Sequence, residues 1–569
     1  MLKIRTLFLF IFALLFSSFF LFYNLGYEQL FFGDESIHLS VIKEMLISGD
    51  WMHPTFRGHS YFSKPPLKMW VTLVLSHAFE PSLFWLRFPD ALFSLISMAL
   101  IFTLGMKLFS SALTGSMAVV FLISCPIYLF RHCARMGVQD STLFLCTTAL
   151  MLAFWSLYKK NKDKETVYFS KEWIYIALFV AIGLMVKYIA GFYGLICGCT
   201  FLFVTTPINK VLRKWLKPFI VISFLSIIPL LIWLLYLQQN YFSEFYDVFV
   251  VENFQRFMGE GIHNVGGKGF YFRELVINEK FLSAILLCPL LIFWLYKIYK
   301  KDISYIYLFV WGICPIVGFS LLNSRLIWYM IPAFPAIALV AGNFLVTIFM
   351  FIFSHDSKHS KYYHLQFAIK ILLALYLISI VFFQGEKLVD VTKRLLKEPK
   401  QYQVERIVKD IKDNGIKVTF YDRDDSSIFR KTSLPDYDRF FLLDILSQMK
   451  FQKAPEYLVL GEESDVLIFP ACHLKTYQQE NKNKFIKCAY FESTLGKGTR
   501  FNLPDSGYVA TCLKNCDTLK SFSSCDKLPR KVMKQDCGKL DEAYKEAKKD
   551  YSPKNYAKKP SFFAPLRDY

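Results

Sequence analysis

The residues that could do chemistry are concentrated in one polar stretch, residues 31–68, which follows the first apolar segment. Asp34 and Glu35 stand near its start, and Lys64 stands near its end, directly before two prolines. The prolines exclude helix and hold the lysine on a stiff, extended turn. Carboxylates beside a bilayer are costly unless they have a task, and a fixed cation suits a phosphate. The stretch therefore predicts the active site of a membrane enzyme.

The composition places this stretch in an integral membrane protein. Of the 569 residues, 54% are hydrophobic and 59 are Phe, and apolar runs of about twenty residues recur, which is enough for a helix to cross the hydrocarbon. The formal net charge of +20 could suggest nucleic acid. The basic residues fall largely between the apolar runs, however, where the positive-inside rule places them. We therefore expect no nucleic-acid partner.

The apolar runs predict an α-helical polytopic protein with about 11 to 13 transmembrane helices. The first run, residues 7–23, follows two basic residues and offers no convincing cleavage site, so we interpret it as a span with a cytoplasmic N-terminus. The stretch 66–79 would rise only about 21 Å as a helix and is predicted to lie in the membrane interface. The other predicted spans are 87–109, 112–130, 141–158, 173–186, 189–206, 218–237, 281–296, 303–322, 327–353 and 367–383.

Counting these spans assigns a side of the membrane to every loop. The lysine-rich segments 159–164, 209–217, 297–301 and 357–364 fall in the cytoplasm. The polar residues that stand out fall on the other side, and they are Asp34, Glu35, Lys64, Asp140, Lys187, Arg256 and Arg325. A lone basic residue at a span end is more often a snorkelling membrane anchor than a ligand. Gathered on one face with two acidic loops, these residues indicate a cationic clamp around an anionic ligand.

The long loop 238–280 is the second extracytoplasmic feature. Its first part predicts an amphipathic surface helix with Phe245 and Phe249 on the apolar side and Arg256 available to the site. Five glycines follow between residues 259 and 269. They are compatible either with a mobile lid over the entrance or with a plain connector.

The chain changes character after residue 385 and predicts a second domain, 386–569. Strand-like runs occur at 416–422, 457–460, 465–469 and 507–514, with helical patterns between them, which indicates a small extracytoplasmic α/β domain. Six cysteines cluster here, and an even number in an oxidising compartment suggests up to three disulfides of undetermined pairing. Their irregular spacing and the lack of a CxxC motif give zinc little support. The segment 541–569 has the composition of a disordered tail.

Several motifs in the first domain resemble one family of enzymes. They are Asp34–Glu35, YFSKPPL at 61–67, RFPDALF at 87–93, Asp140, VENFQRF at 251–257 and SRLIWYMIPAFP at 324–335. Together they resemble the polyprenyl-phosphate-sugar glycosyltransferases of the C superfamily. Within it, the motifs are similar to the bacterial transferases that add aminoarabinose to lipid A and, more remotely, to protein O-mannosyltransferases. The resemblance covers about residues 1–385, and it implies a lipid-linked sugar donor and a periplasmic reaction at a bacterial inner membrane.

The resemblance also assigns roles to individual residues. It implies that Asp34 is the catalytic carboxylate, with Glu35 beside it and Asp140 as the carboxylate of the second loop. It places Lys64, Arg256 and Arg325 around the donor phosphate. Lys187 is added to this predicted phosphate site because it falls on the same side of the membrane, and not because of the resemblance. Ser63 and Asn253 stand where the aminoarabinose transferases usually have Glu and His as metal ligands. Since Ser and Asn are poor zinc ligands, we expect no zinc site of that kind, while a divalent metal stays an open alternative.

The chemistry of these residues fits the implied reaction. Breaking a bond between a sugar carbon and a phosphate creates positive charge on the sugar and negative charge on the leaving group. The predicted function is therefore sugar transfer from polyprenyl phosphate, by an inverting single displacement, to lipid A or another envelope glycolipid. One alternative is a protein O-glycosyltransferase with the same donor. Another is a lipid-phosphate transporter or flippase, which should instead carry charges near the bilayer midplane and show repeat symmetry.

The predicted topology can be tested with reporter fusions. Fusions after Lys162 and Lys214 should report a cytoplasmic location, and fusions after His59 and Asn414 an extracytoplasmic one, because the number of spans between them is fixed. A cytoplasmic signal at Asn414 would mean that residues 66–79 cross the membrane, and it would separate the residues of the proposed site.

Overall fold

The computed structural model describes residues 2–26, 34–56, 59–79, 83–164, 170–249, 269–273, 284–321, 326–354 and 363–396, together with four short strands further on. The first half contains α1 (Leu2–Phe22), α2 (Asp34–Ser48), β1 (Thr55–Phe56), β2 (His59–Ser60), α3 (Leu67–Ala78), α4 (Leu83–Phe109), α5 (Ala112–Ile123), α6 (Pro126–Phe130), α7 (Asp140–Asn161), α8 (Lys171–Lys187), a 3₁₀ turn (Tyr188–Phe192) and α9 (Tyr193–Thr205). The helices that follow are α10 (Ile208–Val211), a π turn (Leu212–Leu216), α11 (Lys217–Asn240), α12 (Phe242–Phe249), α13 (Phe270–Arg273), α14 (Ala284–Tyr299), α15 (Ile303–Leu321), a 3₁₀ turn (Ile327–Ala333), α16 (Phe334–Ile352) and α17 (Tyr363–Leu396).

The first part of the chain is a helical polytopic membrane protein. Among the described residues, eight helical segments are long and apolar enough to cross a membrane, and α5 and α14 are shorter apolar helices. The eight are Ile4–Phe22, Leu83–Phe109, Asp140–Asn161, Lys171–Thr205, Lys214–Asn240, Ile303–Ser320, Ile327–Ile352 and His364–Leu396. All ten lie on runs that the sequence predicts as spans.

The segment from α8 to α9 is a hairpin, not one continuous helix. Tyr188 has a φ of 44°, which breaks the helix after Lys187. In a continuous helix, Gly183 and Gly191 would be separated by about 12 Å along the axis. Here a Cβ on Gly191 would lie 2.3 Å from the carbonyl carbon of Gly183, so the two backbones touch. The break coincides with the predicted boundary between two spans at residues 186–189.

The stretch after the KPP motif is short, as the sequence predicts. It forms α3, which ends at Ala78 and is too short to cross a membrane. Trp70 lies on this helix, and its indole donates to the carbonyl of Trp51, in the preceding loop, at 2.6 Å. These features fit the predicted interfacial position.

The core is formed by α4, α5, α7 and α16. Gly105 on α4 meets Gly115 on α5, where a Cβ would lie 2.6 Å from the opposing Cα. Gly342 on α16 meets the backbone of α5 in the same way, with Thr114 O at 2.9 Å from its would-be Cβ. Without a hydrophobic driving force between helices in lipid, small residues allow this close packing. By contrast, α17 and α11 expose Leu, Ile and Phe side chains along most of their length, which suits contact with lipid.

The described strands after residue 396 form one four-stranded sheet in the order β3 (Val418–Phe420), β4 (Val466–Pro470), β6 (Gly507–Cys512), β5 (Lys487–Glu492). β3 and β4 are parallel, and the other two pairs are antiparallel. Three strands lie in runs that the sequence predicts as strands, whereas β5 lies in a stretch, KCAYFE, to which we assigned no structure. The predicted run 457–460, the disulfides and the tail lie outside the described residues, so a separate, disulfide-bonded domain stays a prediction.

The hairpin contact gives a test of the packing. Gly191→Ala should destabilise the protein by about 1–3 kcal/mol, because the added methyl group collides with backbone that cannot move away. Gly318→Ala on α15 is the matched control, since nothing lies within 4 Å of its would-be Cβ, and Ala is the better helix former by about 1 kcal/mol. Thermal unfolding in detergent measures both. An unchanged transition for Gly191→Ala would contradict the hairpin packing.

Candidate active site

Asp34 is the first residue of α2 and the most open carboxylate of the site. The exposed fraction of its side chain is 49%, so the carboxylate faces an opening in the protein. Its place in the first turn of a helix suits a negative charge. Burial alone would raise the pKa of Asp34, but the electrostatic interactions with His132 and Lys64 outweigh that effect and hold the pKa below its ordinary value. Asp34 is therefore ionised at neutral pH.

His132 lies between the two acidic loops. Its Nδ1 is 3.8 Å from a carboxylate oxygen of Asp34 and 3.8 Å from one of Asp140. The residue sits in the loop between α6 and α7 with a left-handed φ of 58°. Its ring stacks on Trp328, with centroids 3.9 Å apart and planes 8° apart. The sequence analysis missed this histidine, and the only signal was its position in a polar loop, RHCARMG, between apolar runs.

Asp140 and Lys187 form a direct ion pair. The ammonium of Lys187 donates to Asp140 Oδ1 at 2.6 Å, and only 17% of the lysine side chain is exposed. Asp140 begins α7 and Lys187 ends α8, so the pair joins the ends of two neighbouring helices. The same ammonium lies 5.8 Å from the centroid of the Tyr329 ring. Lys187 therefore points into the site, and the interpretation of it as a snorkelling anchor does not fit this geometry.

Glu35 has a different environment from Asp34. It is fully buried, and its two oxygens accept from Arg87 Nε at 2.7 Å and Nη2 at 2.9 Å. Oε1 also accepts from the Gly137 N–H at 2.8 Å, while Arg87 donates to the Leu25 carbonyl at 3.0 Å. A carboxylate held in this way does not reach a substrate. We therefore correct the assignment of Glu35 from a catalytic residue to a positioning residue.

A second buried ion pair lies behind Asp140 and holds the start of α7 through Ser141. Lys68 on α3 lies 2.7 Å from Asp90 on α4, and the Ser141 hydroxyl donates to the other oxygen of Asp90. Both charged side chains are almost fully buried. Together with Arg87, Asp90 was visible in the sequence as a charge inside an apolar run, which is costly without a partner. That signal could have identified the network, but it could not have named the partners.

His38 lies one helical turn after Asp34 and is 2% exposed. Its Nδ1 lies 3.1 Å from the Gly137 carbonyl, and since a carbonyl only accepts, Nδ1 carries the proton. Burial lowers the pKa of His38 to about 4, against the opposing effect of Asp34. His38 is thus neutral at neutral pH and contributes no charge to the site.

Three of the predicted residues cannot be placed. Arg256, Arg325 and Asn253 lie outside the described residues. Ser63 is buried, at the position where the resemblance implies a metal ligand. A serine hydroxyl is a weak ligand beside carboxylate and imidazole, so this position does not fit the zinc site of the aminoarabinose transferases.

The fold and the site define a class of protein: a polytopic membrane protein in which helix ends bring carboxylates and cations together beside one opening. The crystal structure of ArnT from Cupriavidus metallidurans, bound to undecaprenyl phosphate, shares this fold with a TM-score of 0.56, 16% identity, and coverage of 89% of this chain and 97% of that one. Residues 63–233 match the family described as dolichyl-phosphate-mannose-protein mannosyltransferase.

The sequence relatives of this chain narrow the resemblance to one group of transferases. An uncharacterised protein of Aquifex aeolicus is 29% identical over 57% of this chain and 61% of its own length. The undecaprenyl phosphate-alpha-4-amino-4-deoxy-L-arabinose arabinosyl transferases of Wigglesworthia glossinidia brevipalpis and Edwardsiella ictaluri are each 27% identical, over 55% of their length and 56% and 55% of this chain. This chain thus spans little more than half the length of these relatives. The chain resembles the C-superfamily glycosyltransferases, as its motifs indicate.

The buried Glu35–Arg87 pair gives a stability prediction. Glu35→Gln keeps the volume but leaves the Arg87 charge buried without its partner, and a loss of about 3–5 kcal/mol is expected. Asp163→Asn is the control, since Asp163 is 85% exposed and 3.8 Å from Lys162, where an exposed pair contributes at most about 1 kcal/mol. Unfolding in detergent measures both variants. Equal stability of Glu35→Gln and wild type would refute the positioning role.

Proposed function

We propose that this protein is a membrane glycosyltransferase that moves a sugar from a polyprenyl-phosphate donor to an acceptor outside the cytoplasm. The observation that carries the proposal is the setting of Asp34, an open and ionised carboxylate under the influence of His132, Lys64 and Lys187. Similarity to transferases whose names specify an undecaprenyl-phosphate donor supplies the substrate class. The site is proposed to face the periplasm of a bacterial inner membrane.

The reaction needs opposite charges at two points of the donor. As the bond from the anomeric carbon to the phosphate breaks, the sugar gains positive charge and the phosphate gains negative charge. Asp34 can stabilise the first charge or take the proton of an acceptor hydroxyl. Lys64 would stabilise the second. A single displacement would invert the anomeric carbon, and the carbon–oxygen bond to the acceptor would form as the bond to the phosphate breaks.

The two carboxylates are suited to different tasks. Asp140 already accepts from Lys187 at 2.6 Å and is nearly buried, whereas Asp34 keeps an open side chain. Asp34 is therefore the better candidate for contact with sugar or acceptor. Asp140 would orient Lys187 and His132 around it. Asp140 would therefore act on the donor indirectly, because it sets the position of the Lys187 charge.

The acceptor is proposed to be lipid A or another envelope glycolipid. Support comes from the resemblance of the motifs to transferases that modify lipid A, since the names of the relatives specify the donor and the sugar but not the acceptor. If the acceptor group is itself a phosphate, its oxygen needs no general base. The match to a protein mannosyltransferase family keeps protein O-glycosylation as a second candidate. A lipid-phosphate transporter is less well supported, because Asp34, Asp140 and Lys187 gather at helix ends and not at mid-span.

Asp34→Asn should abolish sugar transfer while the protein stays folded and inserted, because the change removes the charge and keeps the volume. Asp50→Asn is the matched control in the same loop. Asp50 Oδ1 accepts the N–H groups of Met52 and His53, a role that an amide oxygen can fill. Transfer to lipid A and to envelope glycoproteins is followed by mass spectrometry, with and without each variant. Wild-type transfer by inserted Asp34→Asn protein would eliminate the assignment.

A further inference from the structure

Tyr188, at the turn of the α8–α9 hairpin, has an unusual backbone conformation. Its φ is 44° and its ψ is −128°, a region that glycine adopts readily and that side chains rarely enter. The residue is 3% exposed. Strain of this kind persists only where surrounding contacts hold the residue in place, and it is often found beside functional sites. The tyrosine side chain must therefore make contacts that hold this turn.

The side chain of Tyr188 reaches a different loop. Its hydroxyl donates to the Phe62 carbonyl at 2.6 Å, a short hydrogen bond between residues 126 positions apart. Its ring lies against Trp233 of α11, with centroids 6.2 Å apart, and the Phe62 ring meets the same indole edge-on at 6.4 Å. Both Phe62 and Trp233 are 1% exposed. Packing against Trp233 therefore holds both the Tyr188 ring and Phe62, and it fixes the direction of the hydroxyl.

The two residues joined by this bond are neighbours of the two lysines of the site. Tyr188 directly follows Lys187, which pairs with Asp140. Phe62 stands two positions before Lys64, and the prolines after Lys64 stiffen that segment. A fixed carbonyl at position 62 leaves the Lys64 backbone little freedom. The bond therefore sets one lysine relative to the other.

We propose that Tyr188 is a positioning residue for the donor-phosphate site, and that its hydroxyl holds Lys64 in place through the Phe62 carbonyl. The inference rests on the proposed function, because it gives Lys64 the donor phosphate as ligand. The polyprenyl-phosphate group would then be bound by a lysine whose position depends on the hairpin that carries Lys187. A tyrosine that only fills the core would contribute to stability but not specifically to this lysine.

Binding of undecaprenyl phosphate to the purified full-length protein in detergent tests the proposal. Lys64→Ala should weaken binding by about 10- to 100-fold, as expected for a charged hydrogen bond. Tyr188→Phe removes one neutral hydrogen bond, keeps the ring, and should weaken binding by about 3- to 10-fold. In the double variant, Tyr188→Phe should add no further loss, because the lysine that it positions is gone.

The control is Tyr307→Phe, which removes a buried hydroxyl on α15 that has no hydrogen-bond partner among the described residues. It should leave binding unchanged. Wild-type binding by Tyr188→Phe, or the same fractional loss with and without Lys64, would overturn the positioning role while the phosphate site stands. No binding by the wild type would overturn the proposed function and this inference together. Thermal unfolding of each variant separates a loss of binding from a loss of folded protein.

Discussion

The site depends on the buried ion pair between Glu35 and Arg87. Removing two charges from water is expensive, and the mutual attraction compensates only when geometry is good and further hydrogen bonds satisfy the remaining groups. Both conditions hold here, since the pair is bidentate, the Gly137 N–H donates to Glu35, and the Leu25 carbonyl accepts from Arg87. These bonds fix α2 against α4 and against the loop that carries His132. The separation between Asp34 and His132 follows from that arrangement.

The same design recurs at the other two functional positions. Asp140 is followed by Ser141, which donates to the buried Asp90, and Lys187 is followed by Tyr188, which donates to the Phe62 carbonyl. At Asp34–Glu35 and Asp140–Ser141 the two residues are successive on a helix and point about 100° apart, so one can face the opening while the next faces the interior. At Lys187 the helix ends, and the turn at Tyr188 gives the two side chains their different directions. Each functional side chain is therefore held by the interior bond of its neighbour. This explains why buried polar bonds cluster directly behind the site.

The sequence predicted the spans better than the pairings. Apolar runs locate helices because every backbone group in lipid must be satisfied within the segment, and even the break at Lys187 was predicted. The roles of Asp34 and Glu35 could not be separated in this way, because nothing local shows which carboxylate meets Arg87. Nor could the Lys187–Asp140 bond be predicted, since its residues are 47 positions apart. The pairings depend on the contacts between α7, α8 and the loops, which periodicity does not encode.

The two lysines of the site differ in whether their charge is already neutralised by a partner. A buried charge needs a partner, and Lys187 has one in Asp140 at 2.6 Å, so the pair is nearly neutral towards a ligand. Lys64 is partly buried, as Lys187 is, but it lowers the pKa of Asp34 more strongly than Lys187 does. Under the proposed function, Lys64 would therefore stabilise the negative charge of the leaving phosphate most. Lys187 would instead hold Asp140 in place beside the donor. A charge on a loop can serve this purpose only if the loop is held, because a misplacement of about 1 Å can cost on the order of 100-fold in rate. The hydrogen bond from the hairpin to the Phe62 carbonyl supplies that constraint from outside the charged cluster, where it does not compete with the ligand.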